Sequence, residues 1–297
     1  MPAIKLTNSK RSSTLANSSL GPVLSVTIVT PDLNSSIDAY RNYLHQRIHL
    51  EGRINLRQAR RLGMSSLTGA KVAWMANELD ERWLRLIEIP DAEVVDPFDH
   101  RGWMSLSINV QDLDVLRPAL ESSPFQIMGE PENLDTSQET RTMQLIGPAG
   151  EVLYLTEVKS EIPALELPVA RCLVDRVFGP VLLADNREQA LETYEELPGT
   201  EGVNSNAGIT AINRARHLEP GEKHPISIIR LRGNNLIEVN QLDSLNERPV
   251  SSAGLPAGIA FISFASESLP ENLQIAWSGS LVRGATGELF QLIKQQS

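Results

Sequence analysis

A short apolar segment with one carboxylate inside it occurs twice in this chain. The first copy is residues 84–90 (LRLIEIP) and the second is residues 235–239 (NLIEV), about half the chain further on. In both copies a glutamate follows Leu-Ile and precedes a β-branched residue, which is typical of a buried strand. An unpaired carboxylate is too costly to keep in such a strand. The echo therefore predicts a duplicated fold, with a cavity or a bound partner at Glu88 and Glu238.

The length and charge of the chain limit its architecture and its partners. Its 297 residues are 41% hydrophobic, which is enough for two domains of about 100 to 150 residues. The formal net charge of −10 disfavours nucleic acid and anionic membranes as partners, because both attract basic faces. The single Cys172 cannot form an internal disulfide, so a cytoplasmic location is the default expectation. No apolar run reaches the roughly 18 residues of a membrane span.

Strand and helix signals in the first half occur twice in the same order. A β-branched run at residues 23–30 follows a polar tail, residues 1–20, for which we expect disorder. Apolar residues at helical spacing come next, and two further strands close the unit. The order restarts at residue 103 with a strand, a helix and a hairpin. Residues 21–158 are therefore predicted to form a domain of two βαβββ modules.

A proline-broken linker, residues 159–171, precedes weaker copies of the same signals. A strand at residues 177–183 leads into a helix, for which Asp185 and Glu188 resemble a capping box. Residues 172–297 are predicted to form a second domain of two degenerate modules. The expected fold class is α+β, with four βαβββ modules paired into two domains.

The sequence resembles the vicinal oxygen chelate superfamily, which includes glyoxalase I, the extradiol dioxygenases and the bleomycin-resistance proteins. In the first half the resemblance rests on TIVTPDLNSSIDAYRNYL, WLRLIEIP, GWMSLSINVQDLDVL and GPAGEVLYLTEV. The second half carries the degenerate copies VLLADNREQALETYEELPG and GATGELFQLIKQ. The resemblance implies glyoxalase/bleomycin-resistance-like domains whose sheets curl into cups around a ligand.

The resemblance also implies a divalent metal held by four inward residues, commonly His and Glu, on the first and last strands of paired modules. In the first half these positions match Ser25, Glu88, Ser105 and Tyr154. In the second half they match Gly179, Glu238, Ile259 and Gln291. A catalytic divalent metal normally takes about three protein ligands. Because each set has one carboxylate, we expect neither a metal nor another cofactor.

Two residues are the catalytic candidates. Glu88 is the expected base, because apolar surroundings can make a carboxylate a proton acceptor near neutrality. Tyr154 could donate a hydrogen bond to a substrate oxygen or a developing enolate. The alternative for Glu88 is a solvated edge or an ion pair with Arg85 or Arg101. The substrate-binding candidates, for which ordinary cavity lining or solvation is the alternative, are Ser25, Ser105, Trp103, His100, Glu238 and Gln291.

Three functions fit these residues. The leading hypothesis is a metal-independent isomerase or lyase that moves a proton next to a carbonyl of a small organic substrate. The second is a protein of the bleomycin-resistance type that binds and sequesters a small molecule without chemistry. The third is a metal-dependent dioxygenase or glyoxalase with displaced ligands. The fold alone cannot decide among the three functions, because this scaffold carries several chemistries. The sequence also leaves a homodimer possible.

Overall fold

The computed structural model describes residues 18–134, 137–159, 167–267 and 281–294. Residues 1–17 of the expected tail and 160–166 of the expected linker lie outside this set. Within the described residues the chain forms two curled mixed sheets with a few helices, so the predicted α+β class is confirmed.

The described strands and helices fall into four successive modules. The first module contains β1 (Leu20–Thr30), α1 (Leu33–Tyr43), β2 (Arg47–Arg53), α2 (Leu56–Arg61), β3 (Lys71–Ala76) and β4 (Arg82–Glu88). The second contains β5 (Gly102–Val110), α3 (Leu113–Leu120), β6 (Gln126–Leu134), β7 (Ser137–Ile146) and β8 (Val152–Val158). The third contains β9 (Val174–Ala184), α4 (Arg187–Glu195), β10 (Gly202–Gly208), α5 (Thr210–Ala215), β11 (Lys223–Leu231) and β12 (Asn235–Gln241). The fourth contains β13 (Gly258–Ser266), β14 (Leu281–Arg283) and β15 (Leu289–Lys294).

Each sheet combines one module from each half of the chain. The seven-stranded sheet has the order β14-β15-β13-β1-β4-β3-β2, and the eight-stranded sheet has the order β10-β11-β12-β9-β5-β8-β7-β6. The first module therefore shares a sheet with the fourth, and the second shares a sheet with the third. The joining pairs, β1 with β13 and β5 with β9, are antiparallel. As a result, residues of one half do not converge on one cup.

Short polar side chains start the three main helices. Asp32 accepts a hydrogen bond from the backbone N–H of Ser35 at the start of α1, and Asp112 caps α3 in the same way. In α4 the cap is Asn186, and Asp185 instead pairs with Arg101. This corrects the expected capping box. All three helices pack on the outer faces of the sheets through one continuous apolar core.

Two buried tyrosine–glutamate hydrogen bonds tie the sheets together. The hydroxyl of Tyr40 in α1 donates to Glu151 of the second module at 2.8 Å. The hydroxyl of Tyr194 in α4 donates to Glu288 of the fourth module at 3.0 Å. In each case the tyrosine lies in a helix that packs on one sheet, and the glutamate lies in a turn of the other sheet. The two contacts fix how the sheets, and so the cups, are placed.

The helices that cover the inner faces are short. α2 packs on the seven-stranded sheet through an apolar cluster that includes Ala59 and Ile87, and α5 packs on the eight-stranded sheet through Ala211 and Ile212. Among the described residues, no helix has both the length and the apolar character needed to cross a membrane.

Candidate functional site

Strand register places four pairs of residues at matching positions on the inner faces of the sheets. In every module the first and last strands run side by side and parallel. The inner-face pairs at corresponding places are Thr27 with Arg85, Ser107 with Tyr154, Val181 with Glu238, and Ser263 with Gln291. These are the positions from which side chains of two modules can meet in one cup.

A second set of equivalent residues lies three positions further along the last strand. Glu88, Glu157 and Gln241 each accept a hydrogen bond from the first backbone N–H of their own module's helix, at 3.3, 3.3 and 3.0 Å. Glu88 is therefore equivalent to Gln241, and the residue equivalent to Glu238 is Arg85. The repeated Leu-Ile-Glu motif of the sequence is therefore shifted by three residues relative to the structural repeat of the modules.

The structure places Glu88 on the outer face of its sheet, which corrects the expectation that it points into a cup. Its carboxylate lies 2.8 Å from Nζ of Lys71 and accepts the N–H of Leu33 at the start of α1. Its strand neighbours Leu84 and Leu86 belong to the helix-packed core. A carboxylate at a helix N-terminus with a lysine partner is a structural arrangement. Glu88 does form an ion pair, but with Lys71 and not with the predicted Arg85 or Arg101.

The eight-stranded cup contains a partly open cavity of about 80 Å³. This volume holds a few water molecules or the reactive part of a small organic molecule. β5, β7, β8, β12 and the start of α5 contribute its walls. The polar side chains that line it include Ser107, Thr142, Gln144, Tyr154, Glu238 and Asn240.

Glu238 is the buried carboxylate of this cavity. It lies on the inner face of β12 and is 4% exposed. Burial raises its pKa, and a hydrogen bond from the side chain of Asn240 partly offsets the rise. A carboxylate that is poorly solvated in this way is a stronger base once it is ionised, which suits proton transfer.

Tyr154 faces the same cavity from β8. Burial raises its pKa, and the nearby charge of Glu238 raises it further. Tyr154 therefore keeps its proton at neutral pH and acts as a hydrogen-bond donor. Thr142 Oγ1 and Asn240 Oδ1 are buried and have no hydrogen-bond partner among the residues that the structure describes. A bound molecule could satisfy both atoms.

The seven-stranded cup has a cation at the equivalent place. The guanidinium of Arg85 lies 4.9 Å from the ring centre of Trp74 and 4.8 Å from that of Phe261. Its Nε donates to Thr27 Oγ1 at 2.8 Å, and its Nη2 is buried without a partner. Burial lowers the pKa of Arg85 to about 10, so it remains charged at neutral pH.

Neither cup fits the divalent metal that the resemblance implies. The eight-stranded set offers one carboxylate, a tyrosine, a serine and a valine, and the seven-stranded set holds the Arg85 guanidinium, which repels a cation. Within the described ranges, no group of three His, Cys, Asp or Glu side chains could hold a metal ion. The side chains of the two cups therefore do not match the metal ligands that the resemblance implies. Within the described residues they also do not supply a displaced set of such ligands.

The first-strand serines of the sequence prediction divide between the two cups. Ser25 is buried beside Ser263 in the seven-stranded sheet. Ser105 belongs to the eight-stranded sheet, where its hydroxyl is buried without a partner, two positions before Ser107. Ser107, which the sequence analysis missed, is the serine that lines the cavity.

The other predicted residues also lie apart from the Glu238 cavity. Trp103 is core, with its Nε1 donating to the carbonyl of Leu289 at 2.7 Å. His100 contacts the carbonyl of Asp96 through Nδ1 at 2.8 Å in a loop. Gln291 lies on the seven-stranded sheet and accepts from Ser263 at 2.9 Å. Of the predicted set, the structure brings Tyr154 and Glu238 together.

The structure is similar to glyoxalase I from Zea mays, with a TM-score of 0.60 and 12% identity over 92% of this chain and 92% of that chain. It is also similar to a putative dioxygenase from Bacillus subtilis, with a TM-score of 0.59 and 12% identity over 93% of this chain and 85% of that chain. No protein-family model and no curated protein sequence matches the chain. At these identities the likeness shows the fold and leaves the chemistry to the site.

Proposed function

We propose that this chain, which has the vicinal oxygen chelate fold, is an isomerase or lyase that transfers a proton on a small organic substrate in the eight-stranded cup. The observation that carries the proposal is that Glu238 and Tyr154 line the same cavity. One is a buried carboxylate with a raised pKa and the other is a buried hydroxyl that keeps its proton. A base and an oxygen-binding donor are the parts that proton abstraction next to a carbonyl requires.

In the proposed step, Glu238 takes a proton from the carbon next to a substrate carbonyl. The electron pair of that C–H bond moves onto the carbonyl oxygen and forms an enolate. Tyr154 and Ser107 donate hydrogen bonds to this oxygen, which stabilises the charge as it develops. An isomerase returns the proton to a different carbon. A lyase instead releases a leaving group from the neighbouring carbon.

No step of this proposal passes through a metal, since the donor set of the cup does not fit one. Glu238 supplies the base, and Tyr154 and Ser107 supply the hydrogen-bond donors. α5 contributes Thr210 and Ala211 to the cavity wall, and Glu238 is buried, which limits the water around it. Reduced solvation strengthens both the base and the hydrogen bonds to the enolate.

Deuterium wash-in tests the proposal. The protein is incubated in D2O with a panel of small ketones, hydroxyketones and 2-oxo acids, and exchange at the carbon next to the carbonyl is followed by ¹H NMR. We expect exchange in at least one compound, at least about 100-fold slower exchange in Glu238→Gln, and a rate within about twofold of wild type in Glu88→Gln. Equal loss in both variants, or no exchange by the wild type, would overturn the assignment.

A non-catalytic binding protein is the second candidate function. The unpartnered Thr142 Oγ1 and Asn240 Oδ1 favour it, because they suit recognition of a neutral polar ligand without any chemistry. Native mass spectrometry of the purified protein separates the two functions. A co-purifying molecule that is recovered unchanged and shows no deuterium exchange supports sequestration, and one that exchanges supports the enzyme.

A further inference from the structure

A second and larger cavity, of about 470 Å³, lies where the two sheets meet. β5 of the eight-stranded sheet forms one wall with Gly102 and Trp103. The segment before β13 and the turn between β14 and β15, residues 284–287, form the other walls. The cavity shares no lining residue with the Glu238 cavity, and the proposed proton transfer does not use it.

Three arginines line this cavity, and two of them have no counter-charge. Arg101 is neutralised by Asp185 at 3.0 Å and Glu247 at 2.8 Å. Arg248 and Arg283 form no ion pair with any described residue. Both nevertheless contribute to the wall of the same cavity. Their two positive charges are therefore available to a ligand.

Arg248 is held in place by the fold. Its Nη1 donates to the carbonyl of Trp103 at 2.8 Å, and its Nε is buried without a partner. Arg283 is exposed, and its Nη1 donates to the carbonyl of Gly287 at 2.9 Å. An orphaned buried N–H on a cation is costly unless a ligand or a water satisfies it. Among the described residues Arg248 therefore lacks a full set of protein acceptors, and a ligand or a water in the cavity can complete it.

The acidic side chains of the cavity are already engaged. Glu247 pairs with Arg101. Glu288 accepts from the Tyr194 hydroxyl at 3.0 Å and from the Thr286 hydroxyl at 2.6 Å, and burial raises its pKa. Neither carboxylate neutralises Arg248 or Arg283. The cavity has a positive excess although the chain has a net charge of −10.

We propose that this cavity binds a phosphate monoester of a small organic molecule. Two unpaired guanidiniums match the charge of a phosphate dianion better than that of a single carboxylate, and guanidinium groups bind phosphate oxygens strongly. The volume exceeds that of phosphate alone, so an organic part fits beside the apolar side chains of Val250, Pro256 and Ile259. Because the walls belong to both sheets, the ligand would bridge them.

Calorimetry with phenyl phosphate, inorganic phosphate and benzoate tests the proposal. Phenyl phosphate should bind at least about 10-fold more tightly than either of the others, because it alone has both the dianion and the apolar part. Its affinity should rise with pH as its second pKa, near 6, is passed. Tighter binding of benzoate, or no binding of phenyl phosphate at millimolar concentration, would overturn the proposal. Equal affinity for inorganic phosphate would limit the site to the free ion and overturn the monoester assignment.

Matched variants locate the binding. Arg248→Met/Arg283→Met should weaken phenyl phosphate at least about 10-fold. The control Arg60→Met/Arg61→Met removes two exposed arginines of α2 and the same total charge, and it should leave the affinity unchanged. Equal weakening in both double variants would show nonspecific charge attraction and would contradict the site. If the double variant does not fold, the exposed Arg283→Met alone should still weaken binding about fivefold, and an unchanged affinity would overturn the site.

Discussion

Arg85 and Glu238 occupy equivalent positions on the inner faces of the two sheets, and one is basic where the other is acidic. Each lies on the last strand of its module, directly beside the first strand, paired with Thr27 and Val181 respectively. One cup therefore presents a guanidinium between two aromatic rings, and the other presents a carboxylate near a tyrosine. The duplication has kept the scaffold and given its two cups different chemistry.

Replacing Glu88 by glutamine should lower stability slightly and leave function intact. The change removes a partly exposed ion pair with Lys71 and a favourable charge at the start of α1. Such contacts contribute about 0.5 to 1 kcal/mol to the free energy of unfolding. Urea denaturation measures this loss, and the deuterium exchange rate is the functional control. A large loss of deuterium exchange in a Glu88→Gln variant that is still folded would show that Glu88 has a functional role and would contradict this prediction.

Stability should fall as pH rises from about 4.5 to 7 because of Glu151. Burial raises the pKa of this 1%-exposed carboxyl to about 7, so the folded protein holds a proton that the unfolded chain releases. A rise of this size corresponds to roughly 3 kcal/mol over that range. Glu151→Gln should flatten this part of the curve of unfolding free energy against pH. An unchanged slope in the variant would contradict the assignment.

Removing the Tyr40 hydroxyl should destabilise the junction between the sheets. That hydroxyl donates to Glu151, and the hydrogen bond lowers the carboxyl pKa against the larger effect of burial. Tyr40→Phe leaves a buried acceptor short of one donor, at a cost of about 1 to 3 kcal/mol. Thermal unfolding of the Tyr40→Phe variant beside Tyr43→Phe, a half-buried tyrosine in the same helix, measures the effect. Equal melting temperatures would argue against a structural role for the bond.

Arg171 should contribute more to stability than an ordinary surface arginine. It bridges Glu81, on the β3–β4 hairpin, and the 1%-exposed Asp175 of β9, with contacts of 2.6 Å to each. Arg171→Ala leaves Asp175 buried with the amide of Asn77 as its remaining side-chain donor, which costs about 2 to 4 kcal/mol. The double variant Arg171→Ala/Asp175→Asn should recover part of the lost stability, because it removes the buried charge as well. Urea denaturation measures the free energy of unfolding of each variant. Additive losses would show that the two residues act independently.

Local features of the fold could be predicted from the sequence. The apolar spacing of Leu33, Ile37 and Tyr40, with Asp32 before them, identifies α1 because helix periodicity and capping are local properties. In contrast, β2 (Arg47–Arg53) is largely exposed at the sheet edge and has no apolar alternation, so the sequence gives little signal for it. Module number and order follow from signals of this kind.

The pairing of modules could not be predicted, because strand periodicity does not specify which sheet edges meet. The first module joins the fourth through β1 and β13, so Ser25 and Glu88 never share a sheet with Ser105 and Tyr154. Only the long-range strand pairs, β1 with β13 and β5 with β9, reveal this arrangement.

The candidate site was misplaced by an alignment choice that the sequence could have corrected. The LIE at Glu88 matches the LIE at Glu238 letter for letter, but matching it with LTE at Glu157 puts Arg85 against Tyr154, as the structure does. Side chains along a strand alternate between the two faces of a sheet, so a shift of three residues moves each side chain to the opposite face. The role of Asn240 beside Glu238 was invisible, since it depends on burial.

The most direct test of the central claim, that Glu238 is the functional carboxylate of the eight-stranded cup, is its titration by ¹³C NMR, with the signal assigned from Glu238→Gln. Burial should place the Glu238 midpoint above its ordinary value of 4.5, and Asn240→Ala should raise it further by removing the hydrogen bond that favours the ionised form. A midpoint at or below the ordinary value, unchanged in Asn240→Ala, would show a solvated carboxylate and would contradict the account.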